Sequence, residues 1–164
     1  MMAVINYAQN DPQGALSYAV ALPAGEAKDN ALRNVINNWA NNDPAAAIAW
    51  AKQQTDPHII DSVWPQIINQ VAQNDPQSAL GLVQSLPDGQ TRNNSIQNIS
   101  FQLLQSDPAT AMQVSSGISD ANIRNSVQQS LASNWMRNDS AAATQWINNS
   151  SLPDQIKKSL LQQR

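Results

Sequence analysis

The acidic residues are the side chains of this sequence best suited to general acid and base chemistry, and there are twelve of them. Ten stand at predicted helix starts, where the positive end of the helix dipole favours a carboxylate. These ten are Asp11, Glu26, Asp43, Asp56, Asp75, Asp88, Asp107, Asp120, Asp139 and Asp154. Only Asp29 and Asp61 remain, and a hydrolase would need one of them to border a pocket beside a second titratable group. We expect no catalytic residue and a protein that is not an enzyme.

His58 is the only histidine, and the sequence contains no Cys. A structural or catalytic metal site normally needs three or four ligands, and one His without Cys or a carboxylate cluster does not supply them. The sequence therefore predicts a surface role for His58, no metal site and no cofactor.

Four basic residues stand near the predicted starts of the second helices of repeats one, three, four and five. Lys28, Arg92 and Arg124 occupy one repeat position, and Lys157 joins them if the fifth turn is one residue longer. One interpretation is a ladder of cations that binds the carboxylates of an extended peptide. The other, which we prefer, is that each Arg pairs locally with the Asp four residues before it, contributing about 0.3 to 0.5 kcal/mol.

Uncharged amides dominate the polar residues, with 19 Asn and 20 Gln among 164 residues. Amides together with Trp would also suit a carbohydrate-binding surface. The Trp residues lie on apolar stripes, however, which favours core packing. This applies to Trp39, Trp50, Trp135 and Trp146, and least clearly to Trp64, because Pro65 follows it.

A recurring segment must position all of these residues. Copies of Asp43–Trp50 begin at Asp11, Asp43, Asp75, Asp107 and Asp139, always 32 residues apart. In the second copy, Asp43 before Pro44 is a helix-start signal, because the residue before Pro avoids the helical region and Pro suits the first helical position. The spacing predicts a first helix over about 44–53.

The second helix of this repeat begins at Asp56-Pro57 and keeps apolar residues at three- and four-residue spacing. We expect Pro65 to kink it. We also expect Asn74 to end it in the left-handed conformation.

Two comparisons between the repeats predict close packing. The position four residues after each first Asp is always Ala, at residues 15, 47, 79, 111 and 143. Residues eleven apart across each joint also match in type, which indicates direct contact. These pairs are Tyr7 with Tyr18, Trp39 with Trp50, Val71 with Leu82, Leu103 with Val114, and Trp135 with Trp146.

The predicted fold is all-α, a right-handed α-solenoid of about five 32-residue antiparallel helix pairs in one domain, 1–164. Residues 1–10 would be a partial helix. The repeats are 11–42, 43–74, 75–106, 107–138 and a partial 139–164. Neither end has a polar capping repeat, so Leu160 and Leu161 are expected near an incompletely covered end. This indicates a fragment, an engineered chain or end-to-end association.

Two resemblances support this prediction. The segment Asp43–Trp50 resembles the junction of tetratricopeptide repeats, although those units are longer and their two helices more equal. Leu86-Pro87-Asp88-Gly89-Gln90-Thr91-Arg92 and Val35-Ile36-Asn37-Asn38-Trp39-Ala40 are similar to segments of poorly characterised bacterial helical arrays. The second resemblance covers the whole chain and implies an α-solenoid with no defined activity.

The charge distribution narrows the possible partners. The net charge is −3 and Lys and Arg form no run, which argues against nucleic acid and membrane surfaces. No signal peptide or membrane span is evident, so we expect a soluble protein, and the sequence does not indicate its compartment.

We expect a non-enzymatic scaffold that binds a protein or peptide, as a monomer or in weak end-to-end association. The alternative is an engineered array with no evolved ligand.

Overall fold

The computed structural model describes residues 10–162, and within that range the chain is all-helical, with ten helices and no strand. This confirms the predicted all-α class. The helices are α1 Pro12–Ala21, α2 Glu26–Asn42, α3 Pro44–Ala51, α4 Pro57–Asn74, α5 Pro76–Gln84, α6 Gln90–Leu103, α7 Pro108–Ser115, α8 Ala121–Asn138, α9 Ser140–Asn149 and α10 Asp154–Leu161. The expected partial helix over 1–10 and the Tyr7–Tyr18 pair lie largely or partly outside the described residues.

The contacts between helices divide the chain into two compact units, Met1–Leu82 and Val83–Arg164. In the first unit, α2 packs on α1, α3 and α4, and α3 also packs on α4. In the second unit, α7 packs on α6 and α8, while α9 and α10 pack on α8 and on each other. In the first unit the long helices α2 and α4 pack extensively on each other. In the second unit the long helices α6 and α8 make only a small contact. The two units therefore do not repeat the same packing.

The recurring Asp residues begin the short helices as predicted. The side chain of Asp43 accepts a hydrogen bond from the backbone N–H of Ala46, and Asp11, Asp107 and Asp139 accept the equivalent bond. Asp75 accepts from the N–H groups of Gln77 and Ser78. These bonds satisfy helix N–H groups that have no partner within the helix.

Asp43, Asp75 and Asp139 also end the helices that precede them, and this corrects the prediction for Asn74. Among the described residues no non-glycine residue has a positive φ, and Asn74 is the last residue of α4. Asp75 follows in a non-helical conformation, with φ −146° and ψ 89°, and its N–H donates to the Val71 carbonyl oxygen at 2.8 Å. One non-helical Asp thus finishes one helix and starts the next, so no left-handed residue is needed.

The repeated Ala position is a point of close packing in both units. Each of the five Ala residues is completely buried. A larger side chain at such a position would have to displace the neighbouring helix. The predicted burial of these Ala residues is therefore confirmed.

Apolar side chains elsewhere follow the predicted stripes. Trp50, Trp64 and Trp135 are buried, whereas Trp39 and Trp146 are half-buried. Helix α4 runs without a break from Pro57 to Asn74 and includes Pro65. Leu160 is fully buried and Leu161 is half-buried, where α10 packs on α8 and α9.

Candidate functional site

An open groove of about 510 Å³ lies on the first unit and is lined only by amide side chains. Helices α2 and α4 form it, because they pack side by side. The lining residues are Asn34, Asn37, Asn38, Asn41, Asn42 and Gln70.

The sequence of α2 places these amides opposite the hydrophobic core. Its buried residues include Leu32, Val35, Ile36 and Ala40, which recur at helical spacing. The α2 amides lie between these buried residues or directly after Ala40, and they are exposed or half-buried. Core packing of α2 therefore fixes the direction in which the amide face points.

Hydrogen bonds orient part of the groove. Gln70 Nε2 donates to Asn41 Oδ1 at 2.9 Å, which connects α4 to α2. Asn42 Nδ2 donates to Asn38 Oδ1 at 2.8 Å within α2. Each primary amide has two N–H donors and an oxygen that accepts two bonds, so every one of these groups keeps unused capacity. The side chains of Asn34 and Asn37 make no hydrogen bond within residues 10–162.

The amide face lowers the intrinsic stability of its own helix. Asn costs up to about 0.7 kcal/mol relative to Ala in a helix interior, because its side chain competes for backbone hydrogen bonds. Five Asn residues between 34 and 42 contribute to the groove. A local conflict of this kind is expected mainly where a site has a function.

The four residues of the predicted cation ladder are turned towards the protein itself. Lys28 Nζ donates to the Val20 carbonyl oxygen at 2.7 Å, at the end of α1. Lys157 Nζ donates to the Asn148 carbonyl oxygen at 3.3 Å, at the end of α9. Carbonyl groups at a helix C-terminus lack a partner within the helix and attract cations.

The two Arg residues differ from each other. Arg92 forms an ion pair with Asp88, as the local interpretation predicts. Arg124 instead donates to the carbonyl oxygens of Ile118, at 2.7 Å, and Ser119, at 3.5 Å. Lys28 belongs to the first unit and the other three residues to the second, and none of the four lines the groove.

The structure brings together two of the residues considered for acid and base chemistry. His58 Nδ1 and Asp29 Oδ1 are 3.6 Å apart, across the first turns of α4 and α2. This places a second titratable group beside Asp29, as a hydrolase would require. The distance exceeds the range of about 2.6 to 3.2 Å for a general base and its partner. His58 is 57% exposed, Asp61 is exposed, and the amide groove is lined by other residues.

Two aspartates have a pKa below the ordinary range, and both are helix caps that do not line the groove. The Ser78 hydroxyl, which donates to Asp75, lowers the pKa of that carboxyl group. The Thr110 hydroxyl does the same for the pKa of Asp107. These lowered pKa values reflect hydrogen bonds that stabilise the charged form of each helix-capping carboxylate. A catalytic acid would need a raised pKa, so the shifts point to helix capping.

Our sequence reasoning did not identify the groove, although a signal for it exists. The repeat position of Asn38 carries an amide in every complete long helix: Asn38, Gln70, Gln102 and Asn134. No aromatic residue lines the groove.

Searches of the described residues add two observations. No group of three or more His, Asp or Glu residues that could hold a metal ion occurs in residues 10–162. None of the helices in that range has the length and apolar character needed to cross a membrane. Comparison with protein-family models, curated proteins and solved structures found no match.

Proposed function

We propose that this protein is a non-enzymatic helical scaffold that binds a polypeptide ligand in the amide groove of its first unit. The observation that carries the proposal is the groove itself, an open surface lined by six amides from α2 and α4. Amides donate and accept hydrogen bonds without charge, as the peptide backbone does. A polypeptide is therefore a chemically matched ligand.

Three further features support this proposal over a carbohydrate site or a cation ladder. Trp50, Trp64 and Trp135 are buried and so cannot stack on a sugar, and no aromatic side chain lines the groove. The ladder cations donate to helix-end carbonyl groups or pair with Asp88. The resemblance to helical repeat arrays also favours a scaffold.

A peptide array probed with the purified full chain tests the proposal. We expect binding that the double variant Asn34→Ala/Asn37→Ala abolishes, because both side chains line the groove and are free of internal hydrogen bonds. The matched control is Gln102→Ala/Asn134→Ala, which removes two exposed amides of the second unit at the repeat position of Asn38. If no peptide binds, or if both double variants bind equally, the proposal is wrong.

A further inference from the structure

We infer that Asp29 and His58 form a proton-dependent contact, which strengthens the packing of α4 on α2 when His58 becomes charged. Neither residue lines the amide groove, so the inference goes beyond the proposed binding function. It rests on a buried carboxylate oxygen, on the histidine beside that oxygen and on the equivalent positions of the second unit.

The carboxylate of Asp29 has one oxygen that lacks a hydrogen-bond donor. The side chain is 23% exposed, but its Oδ1 atom is buried and accepts no hydrogen bond from any residue in 10–162. Such an oxygen costs free energy, because it has lost water without gaining another donor. His58 Nδ1 lies 3.6 Å from it, and a shift of about 0.5 Å would bring this nitrogen within hydrogen-bond distance.

Protonation of His58 changes the chemistry of this contact. A neutral imidazole ring carries hydrogen on only one of its two nitrogens, whereas a protonated ring is a donor at both. Protonation therefore places a donor on Nδ1 and adds a charge opposite to that of Asp29. His58 is 57% exposed, so its charged ring keeps contact with water and loses little hydration. The contact is strongest when His58 is protonated and Asp29 is ionised.

Asp29 is one of several ionisable groups on the elements around His58. Asp56 and Asp61 belong to the N-cap and the second turn of α4 itself, and Asp56 Oδ1 accepts a hydrogen bond from the His58 backbone N–H. These two carboxylates favour a charge on His58, whereas the positive end of the α4 dipole opposes it. Helix α3, which also packs on α4, contains no ionisable side chain. The other ionisable residues of α2 are Glu26, Lys28 and Arg33. Among the described residues of α2, Asp29 alone lies within ion-pair distance of His58.

The second unit carries uncharged residues at both positions. Two repeat intervals after Asp29 and His58 stand Asn93 and Asn122. The Oδ1 atom of Asn93 accepts two hydrogen bonds from Ser119, and an amide does not titrate. The proton-dependent contact therefore belongs to the first unit, and the chain itself supplies an uncharged replacement for Asp29.

The pH range of the contact follows from the ordinary ionisation of its two residue types. Histidine gains its proton at about pH 6.5 and aspartate at about pH 3.9. The contact is therefore formed between about pH 4 and pH 6.5, and it weakens as the pH rises further. His58 is the only histidine and the chain has no Cys, so no other side chain ordinarily titrates between pH 5.5 and pH 8.0.

Urea unfolding of the full chain at pH 5.5 and pH 8.0 tests the inference. We expect the unfolding equilibrium constant of the wild type to be about threefold smaller at pH 5.5, which is the size expected of a partly exposed ion pair. In Asp29→Asn the two constants should agree within about 1.5-fold, because the amide carries no charge. The matched control Asp61→Asn removes a carboxylate from α4 without touching the contact, so it should keep the wild-type ratio.

Hydrogen exchange of the α4 backbone amides in the wild type locates the effect without any substitution. After correction for the intrinsic pH dependence of exchange, protection should be about threefold greater at pH 5.5 than at pH 8.0. Equal wild-type unfolding constants, or equal protection, at the two pH values would overturn the inference. It is also overturned if Asp29→Asn keeps the wild-type ratio or if Asp61→Asn abolishes it.

Discussion

The ammonium group of Lys28 lies 2.7 Å from the carbonyl oxygen of Val20, so the first turn of α2 is bonded to the last turn of α1. Lys157 connects α10 to α9 through the Asn148 carbonyl in the same way. A cation placed just after the turn thus reaches back to the negative end of the preceding helix. Half of the predicted ladder therefore contributes to the joining of helix pairs.

Replacing Lys28 by Met keeps most of the side-chain volume and removes the donor. We expect the free energy of unfolding to fall by about 1 kcal/mol, because the Val20 carbonyl loses a charge-assisted hydrogen bond. Urea unfolding measures this change. The control Arg33→Met removes an exposed cation from the same helix and should change stability by less than about 0.5 kcal/mol. If Lys28→Met leaves stability unchanged but weakens peptide binding, Lys28 is a ligand residue as the ladder hypothesis states.

The turn between α7 and α8 is held by a buried amide. Asn93 is 6% exposed, and its Oδ1 accepts hydrogen bonds from the backbone N–H and the hydroxyl group of Ser119, each at 3.1 Å. Asn93→Ala should lower the free energy of unfolding by about 1 kcal/mol, because it removes hydrogen bonds whose Ser119 donors are exposed and can bond to water instead.

Thermal and urea unfolding check this expectation, with Asn94→Ala as the control. Asn94 is the exposed neighbour of Asn93 in α6. The control replaces the same residue type on the same helix, so it also corrects for helix propensity. Equal effects of the two substitutions would show that the bonds to Ser119 contribute nothing to stability.

Interactions between residues close together in the sequence were predicted better than interactions between distant residues. The Asp caps, the buried Ala positions and the helix starts at Pro44 and Pro57 depend on residues close in sequence, and they agree with the prediction. The left-handed conformation predicted for Asn74 is wrong, because Asp75 caps both the end of α4 and the start of α5.

Contacts between distant residues could not be predicted in the same way. The partner of Arg124 depends on the path of the turn before α8, which brings the Ile118 carbonyl within reach. The Asp29–His58 pair and the Gln70–Asn41 bond depend on how α2 and α4 pack. A repeat spacing indicates that such helices pack, but it does not give their separation or register.

The Thr110 hydroxyl donates to Asp107 Oδ2 at 2.6 Å and lowers the pKa of that carboxyl group. A lowered folded-state pKa adds stability that is fully present above the ordinary aspartate pKa of about 3.9 and is lost as the pH falls through the lowered value. Thr110→Val should therefore destabilise the protein at pH 7, and the difference from the wild type should shrink on acidification below pH 4.

Urea unfolding at several pH values between 7 and 2.5 measures this dependence. The variant Thr110→Ser keeps the hydroxyl group, so it should retain most of the wild-type pH dependence. If the difference between Thr110→Val and the wild type is constant over the whole range, the hydroxyl does not act through the ionisation of Asp107.

Asn37→Ala separates the groove's contribution to binding from its effect on folding. Asn37 is exposed, lines the groove and makes no side-chain hydrogen bond within residues 10–162. We expect the free energy of unfolding to rise by about 0.5 kcal/mol, because Ala is the better helix former. Affinity for the array-selected peptide should fall, because the groove loses one donor and acceptor pair.

Asn134→Ala, on the exposed face of α8, is the control. It tests removal of an amide outside the groove and should leave peptide affinity unchanged. A gain in stability with a loss of affinity would mean that these Asn residues are kept for binding at a cost to the helix. A loss of stability on replacing Asn37 would instead assign the amide face a structural role.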